Sequence, residues 1–463
     1  MRALLSQCRQ WVAGSKVSAE AAFDRVSTDS RNAPAGSLFV ALRGERFDAH
    51  AFLRDVALRG VAAIVVDAAT DPANLAGLTL PMLLVPDTRI ALGEIAHGWR
   101  RQFALPVIGV TGSNGKTTVK EMIAAILVAG VGPAHSMATR GNFNNDIGVP
   151  LTLMRLDAST RAAVIELGMN HPGEIARLSA MAQPTVGLVN NAQREHQEFM
   201  ATVEAVAAEN GAVLNSLPDD GVAVFPADEP YTGLWRSLAG ARGQRRIITF
   251  GLSADADVRC TFVPNAFGSE MAVVAGDSAF TVSLAAAGLH NVRNALAAVA
   301  CTLAIGMPLG AIIRGLEGFV PVAGRLQRKL APSGVQVIDD TYNANPDSVR
   351  AAIDVLAQAT APRVLVLGDM GEVGDDGRAF HEEIGLYARS RGVDQVLTLG
   401  QLAAASAQAF GPQAMHFNDL GALQEALAVL ATPDAVVLVK GSRFMKMERV
   451  VHHLLGQQVQ DSH

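Results

Sequence analysis

The sequence is poor in cysteine, and this limits the cellular compartment in which we expect the protein. Three cysteines occur in 463 residues, at Cys8, Cys260 and Cys301, far apart in the chain. An odd number of widely spaced cysteines does not fit the disulfide framework of a secreted protein. The residues before Ser15 form only a brief apolar patch, which is interrupted by polar side chains and lacks the core of a secretory signal. We therefore expect a protein of the reducing cytoplasm.

The sequence also lacks an excess of basic residues and lacks long apolar runs. Lys and Arg total 38 against 44 Asp and Glu, for a formal net charge of −6. Such a charge balance lacks the excess of basic residues that is typical of nucleic-acid-binding proteins. Apolar runs such as residues 61–66 and 436–439 are far shorter than the roughly 20 residues that a membrane helix needs. We expect neither nucleic-acid binding nor membrane insertion.

The length and the alternation of strand-like with helix-like segments predict an α/β protein of three domains. We expect a small N-terminal α/β domain over residues 1–85 and a central P-loop ATPase domain with a mostly parallel sheet over residues 86–320. Residues 321–463 should form a C-terminal Rossmann-like domain. Its first turn lacks Gly-x-Gly-x-x-Gly, so a dinucleotide is not indicated there. That turn is instead an acidic, amide-rich loop, residues 339–346, which precedes a helix.

A phosphate-binding loop is the strongest local signal. Residues 107–118 read Val-Ile-Gly-Val-Thr-Gly-Ser-Asn-Gly-Lys-Thr-Thr, which predicts a buried strand, a glycine-bounded turn and a helix start. Phosphate binds the free amide groups at such a helix N-terminus. We expect Lys116 to reach the β- and γ-phosphates of ATP and the Thr117 hydroxyl to bind Mg²⁺. Val110 stands where the usual consensus has glycine, so the motif is a variant.

Glu166 and His196 follow predicted strands of the central domain. Open α/β sheets bind ligands beyond the carboxyl ends of their strands, which places both side chains where a metal ligand is useful. A solvated surface glutamate and a histidine paired with Glu195 or Glu198 are equally open interpretations.

Clusters of asparagine mark two further candidate sites. Asn142, Asn144 and Asn145 lie in one loop, either as turn formers or as carboxamides that hold a phosphate or acyl group. Asn294 lies in a helix start and has an amide that matches an adenine edge, although capping by Asn291 explains the same pattern.

The N-terminal segment carries arginines and hydroxyls in two turn-forming stretches, around Ser30 and Arg31 and over residues 43–50. Arginine forks near loops suit an anionic ligand such as a diphosphate. Solvated surface loops have the same composition, and the residues alone leave both interpretations open.

The motifs taken together resemble one family along nearly the whole chain. The phosphate loop, Gly-Asn-Phe-Asn-Asn-Asp-Ile-Gly-Val-Pro, Glu-Leu-Gly-Met, His-Asn-Val-Arg-Asn-Ala-Leu, Gly-Arg-Leu and Asp-Asp-Thr-Tyr-Asn-Ala-Asn-Pro occur in the order typical of the Mur ligases of peptidoglycan synthesis. The Tyr-Asn-Ala-Asn-Pro loop and the segment from Lys440 to Arg443 resemble the branch that adds D-alanyl-D-alanine to UDP-N-acetylmuramoyl-tripeptide.

The resemblance implies an ATP-dependent amide ligase that works through an acyl phosphate and gives UDP-MurNAc-pentapeptide, ADP and phosphate. It implies ATP as a substrate, Mg²⁺ as a cofactor and a monomeric enzyme, and it leaves the third residue of the tripeptide open between diaminopimelate and lysine. Lys116, Glu166 and His196 are the implied catalytic residues, and Thr117, Glu166 and His196 the metal ligands.

The resemblance also implies three binding sets. The ATP set is Thr111, Gly112, Ser113, Asn114, Gly115, Lys116, Thr117, Thr118, Asn294, Arg325 and Asp340. The UDP set is Ser30, Arg31, Arg43, Gly44 and His50. The acyl and dipeptide set is Asn142, Asn144, Asn145, Tyr342, Asn343 and Asn345.

One position departs from the family pattern. Many members carry a lysine that is carbamylated and helps to order a second Mg²⁺, and counting from His196 places Asn210 there. Either Glu209 supplies a carboxylate directly, or a second metal is bound in another way.

Two rival interpretations remain. The folylpolyglutamate synthetase branch shares the ATPase core but lacks the N-terminal UDP domain. A nucleotide-regulated binding protein would use the loop as a switch and perform no ligation.

Overall fold

The computed structural model describes residues 1–44, 47–195, 198–200, 202–241, 243, 245–265 and 268–457. Three large sheets of five, nine and six strands follow one another along the described chain. Each sheet lies inside one of the three segments predicted from the sequence, and the exact boundaries after residues 85 and 320 stay a prediction.

The N-terminal sheet has the strand order β2-β7-β6-β5-β4, in which only β2 is antiparallel. Its apolar strands β5 and β6 are buried throughout. The elements are β1 (Ala3–Leu4), α1 (Leu5–Trp11), β2 (Lys16–Val17), β3 (Ala22–Phe23), β4 (Val26–Ser27), β5 (Leu38–Val40), a 3₁₀ turn (Ala49–Phe52), α2 (Leu53–Leu58), β6 (Ala63–Asp67), α3 (Pro72–Leu75), β7 (Met82–Val85) and α4 (Thr88–Arg100).

The central sheet has the order β16-β15-β14-β13-β12-β11-β8-β10-β9. Pairing is parallel from β9 to β14, and β15 and β16 add an antiparallel edge. Its elements are β8 (Val107–Thr111), α5 (Lys116–Val131), β9 (Ser136–Ala138), α6 (Gly148–Leu153), β10 (Ala162–Glu166), α7 (Glu174–Ala182), β11 (Val186–Val189), α8 (Val203–Asn215), β12 (Val222–Pro226), α9 (Thr232–Gly240), β13 (Arg246–Gly251), β14 (Val258–Asn265), β15 (Gly268–Ala275), β16 (Ser278–Leu284), α10 (Leu289–Ala304) and α11 (Leu309–Glu317).

Helices cover both faces of the parallel part of this sheet, which explains its continuous apolar strands. One face packs on α5, α10 and α11, where the fully buried Ile126 and Leu296 belong to the same core. The other face packs on α6, α7 and α8, and α4 joins this core to the N-terminal sheet. The predicted mostly parallel sheet is confirmed, and strand β8, between β11 and β10, ends at the predicted phosphate loop.

The C-terminal sheet has the order β17-β18-β22-β19-β20-β21 and is parallel except for β17. Its elements are β17 (Gln327–Leu330), β18 (Gln336–Asp340), α12 (Pro346–Leu356), β19 (Arg363–Gly368), a 3₁₀ turn (Gly374–Asp376), α13 (Gly377–Ser390), β20 (Gln395–Leu399), α14 (Ala403–Phe410), β21 (Ala414–Phe417), α15 (Leu420–Leu430), β22 (Val436–Lys440), a 3₁₀ turn (Arg443–Met445) and α16 (Glu448–Leu454).

The three cysteines are free and buried, each in the interior of a different element. Burial raises the pKa of Cys8 to about 12 and that of Cys260 to about 11, and it also raises the pKa of Cys301. Among the described residues, no helix is both long and apolar enough to cross a bilayer.

Candidate active site

A cavity of about 670 Å³ lies where the carboxyl ends of the central strands face the C-terminal domain. It brings together most of the residues predicted from the sequence, although they are separated by more than two hundred positions. From the predicted sets, the lining residues are Ser113, Asn114, Gly115, Lys116, Thr117, Thr118, Asn142, Asn144, Asn145, Glu166, Asn294, Arg325, Asp340, Tyr342, Asn343 and Asn345. Thr111 and Gly112 do not line it, and neither do the five residues of the predicted UDP set.

The phosphate loop connects β8 to α5 and contains two glycines with positive φ. Gly115, which caps α5, has φ 80°, and a Cβ there would lie 2.5 Å from Asn294 Oδ1. Gly112 has φ 131°, and a Cβ there would lie 2.9 Å from the Cβ of Asn190. Both the backbone conformation and the close approach therefore require glycine at these positions.

A group of carboxamides surrounds the loop. Asn114 donates its backbone N–H to Asn191 Oδ1 at 2.9 Å, and Asn190 Nδ2 donates to the Asn114 carbonyl at 2.8 Å. Asn190 Nδ2 also donates to Asn294 Oδ1 at 2.9 Å, and Asn294 Nδ2 donates to Asn291 Oδ1 at 3.2 Å. Both polar atoms of the Asn294 amide thus have protein partners in this structure, and its predicted contact with adenine stays a prediction.

Lys116 is folded back against its own loop. Its ammonium donates to the carbonyl of Ser113 at 3.0 Å and to Glu195 Oε1 at 2.7 Å, and it also donates to the carbonyl of Gly112. An ammonium group has three donors, so all are engaged here. Contact with a phosphate therefore requires Lys116 to exchange at least one of these partners.

Glu166 ends β10 and lies beside the start of α5. Its Oε1 accepts from Thr117 Oγ1 at 3.1 Å and from Asn144 Nδ2 at 2.9 Å, and its backbone N–H donates to Thr139 Oγ1 at 3.0 Å. Its Oε2 is buried without a hydrogen-bond partner. An uncompensated buried carboxylate oxygen next to a hydroxyl is a donor set that suits Mg²⁺, so these residues fit the predicted metal.

The third predicted metal ligand, His196, lies outside the described residues. Within the part of the chain that the structure describes, no group of three or more His, Cys, Asp or Glu side chains forms a ready cluster for a metal. Of the three predicted metal ligands, the described residues therefore include Thr117 and Glu166.

Asn145 lies in the turn before helix α6 and forms part of the predicted acyl site. Its Oδ1 accepts the backbone N–H groups of Ile147 at 3.2 Å and Gly148 at 2.9 Å, so its turn-forming role is real. Next to it, Asp146 forms a two-pronged ion pair with Arg89 of α4, with Nη2 and Oδ1 2.8 Å apart. This pair joins the loop to the helix that leads out of the N-terminal domain.

The C-terminal wall of the cavity carries an ion pair and a stacked arginine. Lys440 Nζ lies 2.6 Å from Asp340 Oδ2, and it donates to the carbonyl of Asn343 at 2.8 Å. The guanidinium carbon of Arg325 lies 4.1 Å from the centre of the Tyr342 ring. These contacts fix the loop that follows β18 against β22.

His290 lies at the start of α10 in the same cavity wall. Partial burial lowers its pKa to about 4, so the imidazole is neutral at pH 7. Asp340 opposes this lowering and Lys440 adds to it.

Asn345 links the C-terminal domain directly to the phosphate loop. Its Oδ1 accepts the Ser348 N–H at 2.8 Å and so caps α12, while its Nδ2 donates to Asn114 Oδ1 at 2.9 Å. The second asparagine of Tyr-Asn-Ala-Asn-Pro therefore both starts a helix and bridges the two domains.

Arg194 makes a larger bridge between the same domains, and sequence reasoning missed it. Its Nη2 lies 2.6 Å from Asp347 Oδ1 and its Nη1 lies 2.6 Å from Glu383 Oε2. Hydrogen bonds to Glu383 and Asp347 raise the pKa of Arg194, and hydrogen bonds from Arg194 and Arg350 lower that of Glu383. No local motif marks these residues, because each is an ordinary charged side chain in its own segment.

Asn210, at the position where the family pattern has lysine, lies behind the loop and not in the cavity. It is buried on α8, and its Oδ1 accepts the Gly112 N–H at 2.9 Å. Glu209 accepts the backbone N–H groups of Gly173 at 2.9 Å and Ile175 at 2.8 Å, at the start of α7. Glu209 does not line the cavity, so this structure does not support a direct carboxylate contribution from it.

Two of the predicted UDP residues, Arg43 and His50, belong to a polar cluster with Asp48 and Asp67 in the N-terminal domain. Arg43 Nε lies 2.8 Å from Asp67 Oδ2, and Arg43 also pairs with Asp48. His50 is fully buried, with Nδ1 2.6 Å from Asp48 Oδ1, and the Asp67 N–H donates to its Nε2 at 3.4 Å. Arg31 instead lies exposed. The UDP role of this set stays a prediction.

Sequence profiles of three Mur ligase domains match the chain in order. The Mur ligase family catalytic domain matches residues 23–100, the Mur ligase middle domain residues 110–302, and the Mur ligase glutamate ligase domain residues 324–443. A UDP-N-acetylmuramoyl-tripeptide--D-alanyl-D-alanine ligase of Escherichia coli (strain K12) is 40% identical over 452 residues, which cover 97% of this chain and 98% of that protein. The chain belongs to the Mur ligase family.

Two solved structures resemble this Mur ligase over nearly their whole length. A crystal structure of MurF from Acinetobacter baumannii is 34% identical, with a TM-score of 0.90 and coverage of 99% of both chains. MurF ligase from Thermotoga maritima, in complex with ADP, is 26% identical, with a TM-score of 0.82 and coverage of 94% of this chain and 97% of that one. The predicted three-domain α/β fold and the predicted family are confirmed. As a member of the family, the chain is an ATP-dependent ligase that forms a C–N bond.

Proposed function

We propose that this Mur ligase joins D-alanyl-D-alanine to UDP-N-acetylmuramoyl-tripeptide, with conversion of ATP to ADP and phosphate. The product is the UDP-MurNAc-pentapeptide. The observation that carries the proposal is the cavity itself, in which the phosphate loop around Lys116 faces the Tyr-Asn-Ala-Asn-Pro loop of the C-terminal domain. Relatives named UDP-N-acetylmuramoyl-tripeptide--D-alanyl-D-alanine ligase match the chain over nearly its full length.

Amide formation from a carboxylate and an amine in water is uphill, so the acid must first be activated. A terminal carboxylate oxygen of the tripeptide attacks the γ-phosphorus of ATP, the bond to the β,γ-bridging oxygen breaks, and ADP leaves. The amine nitrogen of the dipeptide then attacks the acyl carbon of the acyl phosphate. The carbon–oxygen bond to phosphate breaks, inorganic phosphate leaves, and the nitrogen loses its proton.

The protein contributes positioning and charge neutralisation to these steps. Lys116 moves from Glu195 and its loop carbonyls to the β- and γ-phosphates, and the amides of the loop bind the remaining oxygens. Thr117 and Glu166 hold Mg²⁺, with His196 as the third proposed ligand, and the ion supplies further neutralisation of the phosphates. The buried and unpartnered Glu166 Oε2 supports this assignment.

We assign the substrates to the walls of the cavity by the side chains found there. Asn142, Asn144 and Asn145 line the cavity, Asn144 Nδ2 donates to Glu166 Oε1 at 2.9 Å, and we assign this set to the reacting acyl group. Two other cavity sets are Tyr342, Asn343 and Asn345 for the dipeptide, and Asn294, Arg325 and Asp340 for the nucleotide. The UDP end is assigned outside this cavity, to Ser30, Arg31, Arg43, Gly44 and His50 of the N-terminal domain.

We also propose that the enzyme acts as a monomer. Its use of ATP is the reason that we place the reaction in the cytoplasm. The folylpolyglutamate synthetase alternative is disfavoured, because the Mur ligase profile over residues 23–100 matches an N-terminal domain that this branch is expected to lack.

The test is phosphate release with purified protein, ATP and Mg²⁺. UDP-MurNAc-tripeptides that end in diaminopimelate or in lysine are each supplied with and without D-alanyl-D-alanine. Sustained phosphate release that needs both substrates, with pentapeptide detected by mass spectrometry, is the expected result. Nucleotide binding without pentapeptide under any combination would instead support the nucleotide-regulated binding protein.

A further inference from the structure

Asn210 contacts the phosphate loop from the side opposite the cavity. The side chain is 1% exposed, and its Oδ1 accepts the Gly112 N–H at 2.9 Å. The backbone carbonyl of the same residue accepts from Thr111 Oγ1 at 3.2 Å, and Thr111 Oγ1 also donates to the Leu188 carbonyl at 2.9 Å. Helix α8 is thus joined to the last residue of β8 and to the first residue of the loop.

The Gly112 peptide is the point at which the loop leaves the strand. Its N–H points inward to Asn210, while its carbonyl accepts from Lys116 Nζ. A peptide group is planar, so fixing the direction of this N–H also fixes the plane of the Thr111–Gly112 peptide bond. The carbonyl of the same Thr111–Gly112 peptide accepts the Asn190 N–H at 3.0 Å, so Asn210 and Asn190 hold this peptide group from its two edges.

Of the two polar atoms in the Asn210 amide, Oδ1 accepts a hydrogen bond and Nδ2 does not donate one. Its Nδ2 is buried and has no hydrogen-bond partner. Because a buried unpaired donor costs free energy, we infer that the acceptor oxygen is the reason for asparagine at position 210.

We propose that Asn210 is a positioning residue for ATP binding, acting through the Gly112 peptide. It fixes the Thr111–Gly112 peptide at the start of the phosphate loop, and so the position from which the following loop amides face the phosphates. This inference rests on the proposed function, because it takes the loop as the site of ATP.

Two variants of Asn210 show whether the residue acts through its acceptor oxygen or needs the whole amide group. Asn210→Leu has nearly the same volume and no acceptor, whereas Asn210→Asp keeps an acceptor oxygen in either protonation state. Val213→Ala is the matched control, because Val213 is fully buried on the same helix but packs against Gly187 of β11 rather than the loop. Asn210→Ala replaces Asn210→Leu if the leucine variant does not fold.

The experiment measures the Kd for ADP with Mg²⁺ by calorimetry, the KM for ATP, the KM for D-alanyl-D-alanine, and Tm. Asn210→Leu is expected to weaken ADP binding and raise the KM for ATP by roughly tenfold or more, with the KM for the dipeptide within about twofold of wild type. Asn210→Asp should stay within about threefold of wild type for ADP, and Val213→Ala should lower Tm without a change in ADP affinity.

The inference is overturned if Asn210→Leu binds ADP as wild type does, or if Val213→Ala loses ADP affinity in parallel with its fall in Tm. It is also overturned if Asn210→Asp binds as poorly as Asn210→Leu. Wild-type protein that binds ADP but forms no pentapeptide would refute the proposed function alone, because the ADP comparison among variants still reads out the role of Asn210.

Discussion

Arg194 and Asp347 form a bidentate contact between the central and C-terminal domains. Arg194 Nη2 lies 2.6 Å from Asp347 Oδ1, and the Arg194 backbone N–H donates to Asp347 Oδ2 at 2.9 Å. Both side chains are only about a quarter exposed, at 22% and 25%, so salt screens this pair less than a surface pair. Glu383 extends the contact by pairing with both Arg194 and Arg350.

Arg194→Ala should loosen the contact between the central and C-terminal domains. Removing Arg194 leaves Asp347 without this partner and leaves Glu383 paired with Arg350, both on the C-terminal domain. Such a loss in a partly buried network costs about 2 to 3 kcal/mol. We expect a larger radius of gyration in solution scattering and a KM for ATP raised by roughly tenfold or more.

The control for this variant is Arg378→Ala. Arg378 pairs with Glu382 on the surface of α13 and is 71% exposed. It should leave both measurements unchanged, because exposed pairs contribute little. An unchanged radius and KM in Arg194→Ala would show that the bridge does not hold the domains together.

Lys116→Ala should abolish phosphate release that depends on the tripeptide. The ammonium is the only loop side chain expected to meet the β- and γ-phosphates, and loss of such an electrostatic contact lowers kcat by roughly a hundredfold to a thousandfold. Steady-state phosphate release with saturating substrates measures it. Lys16→Ala, on β2 of the N-terminal sheet, is the control and should retain activity. Turnover near the wild-type level in Lys116→Ala would refute the assignment of the loop.

Glu166→Gln should raise the Mg²⁺ concentration needed for half-maximal activity. The variant keeps the size of the side chain and an acceptor for Thr117, but it loses the charge and one carboxylate oxygen that suit a hard cation. Rates measured across a Mg²⁺ titration give this value. Glu174→Gln is the matched control, because Glu174 lines the same cavity but accepts the backbone N–H groups of Asn170 and His171. Equal Mg²⁺ curves for wild type and Glu166→Gln would remove Glu166 from the metal site.

His381 should make folding stability depend on pH. Burial lowers its pKa in the folded protein, where its Nε2 accepts the Met370 N–H at 3.0 Å and its Nδ1–H donates to the Gly377 carbonyl at 2.6 Å. The unfolded chain takes up a proton below about pH 6.5 and the folded chain resists it, so this contribution is present above about pH 6.5 and is lost as the pH falls.

Urea unfolding at about pH 7.5 and about pH 5.5 tests this linkage. His381→Gln cannot titrate, so its loss of stability between the two values should be smaller than that of wild type. His453→Gln, at an exposed position of α16, should behave as wild type. Identical pH dependence in wild type and His381→Gln would exclude His381 as the source.

The rate of ligation should have an alkaline optimum. The attacking amine must be unprotonated, and free α-amino groups titrate near pH ~8. Initial rates at saturating substrates across about pH 6 to 9 measure the profile, with Tm recorded at each pH to exclude unfolding. A flat profile would show that amine attack does not limit the rate.

Local sequence was sufficient for the elements and for the loop. The sequence predicted a buried strand and a helix start within residues 107–118, and the structure has β8 at Val107–Thr111 and α5 from Lys116. Buried strands and glycine-bounded turns can be recognised from a few consecutive residues. The sequence therefore located Lys116 and Thr117 without knowledge of the fold.

Long-range partners could not be predicted in the same way. Arg194 and Asp347 are 153 positions apart, and neither neighbourhood shows which charge the other domain presents. Asn294 was expected to face adenine, and only the structure shows that its amide contacts Asn190 and Asn291. Propensity and spacing describe one segment at a time, whereas these contacts depend on how two domains come together.

The inaccessibility of Cys8, Cys260 and Cys301 has a practical consequence. Thiol reagents need the thiolate at the surface, so the folded wild-type protein should remain unlabelled. A pair of engineered cysteines, one on each side of the cavity, would then accept spectroscopic probes without prior removal of the native thiols. Distances across the cleft can thus be followed in an otherwise unaltered enzyme.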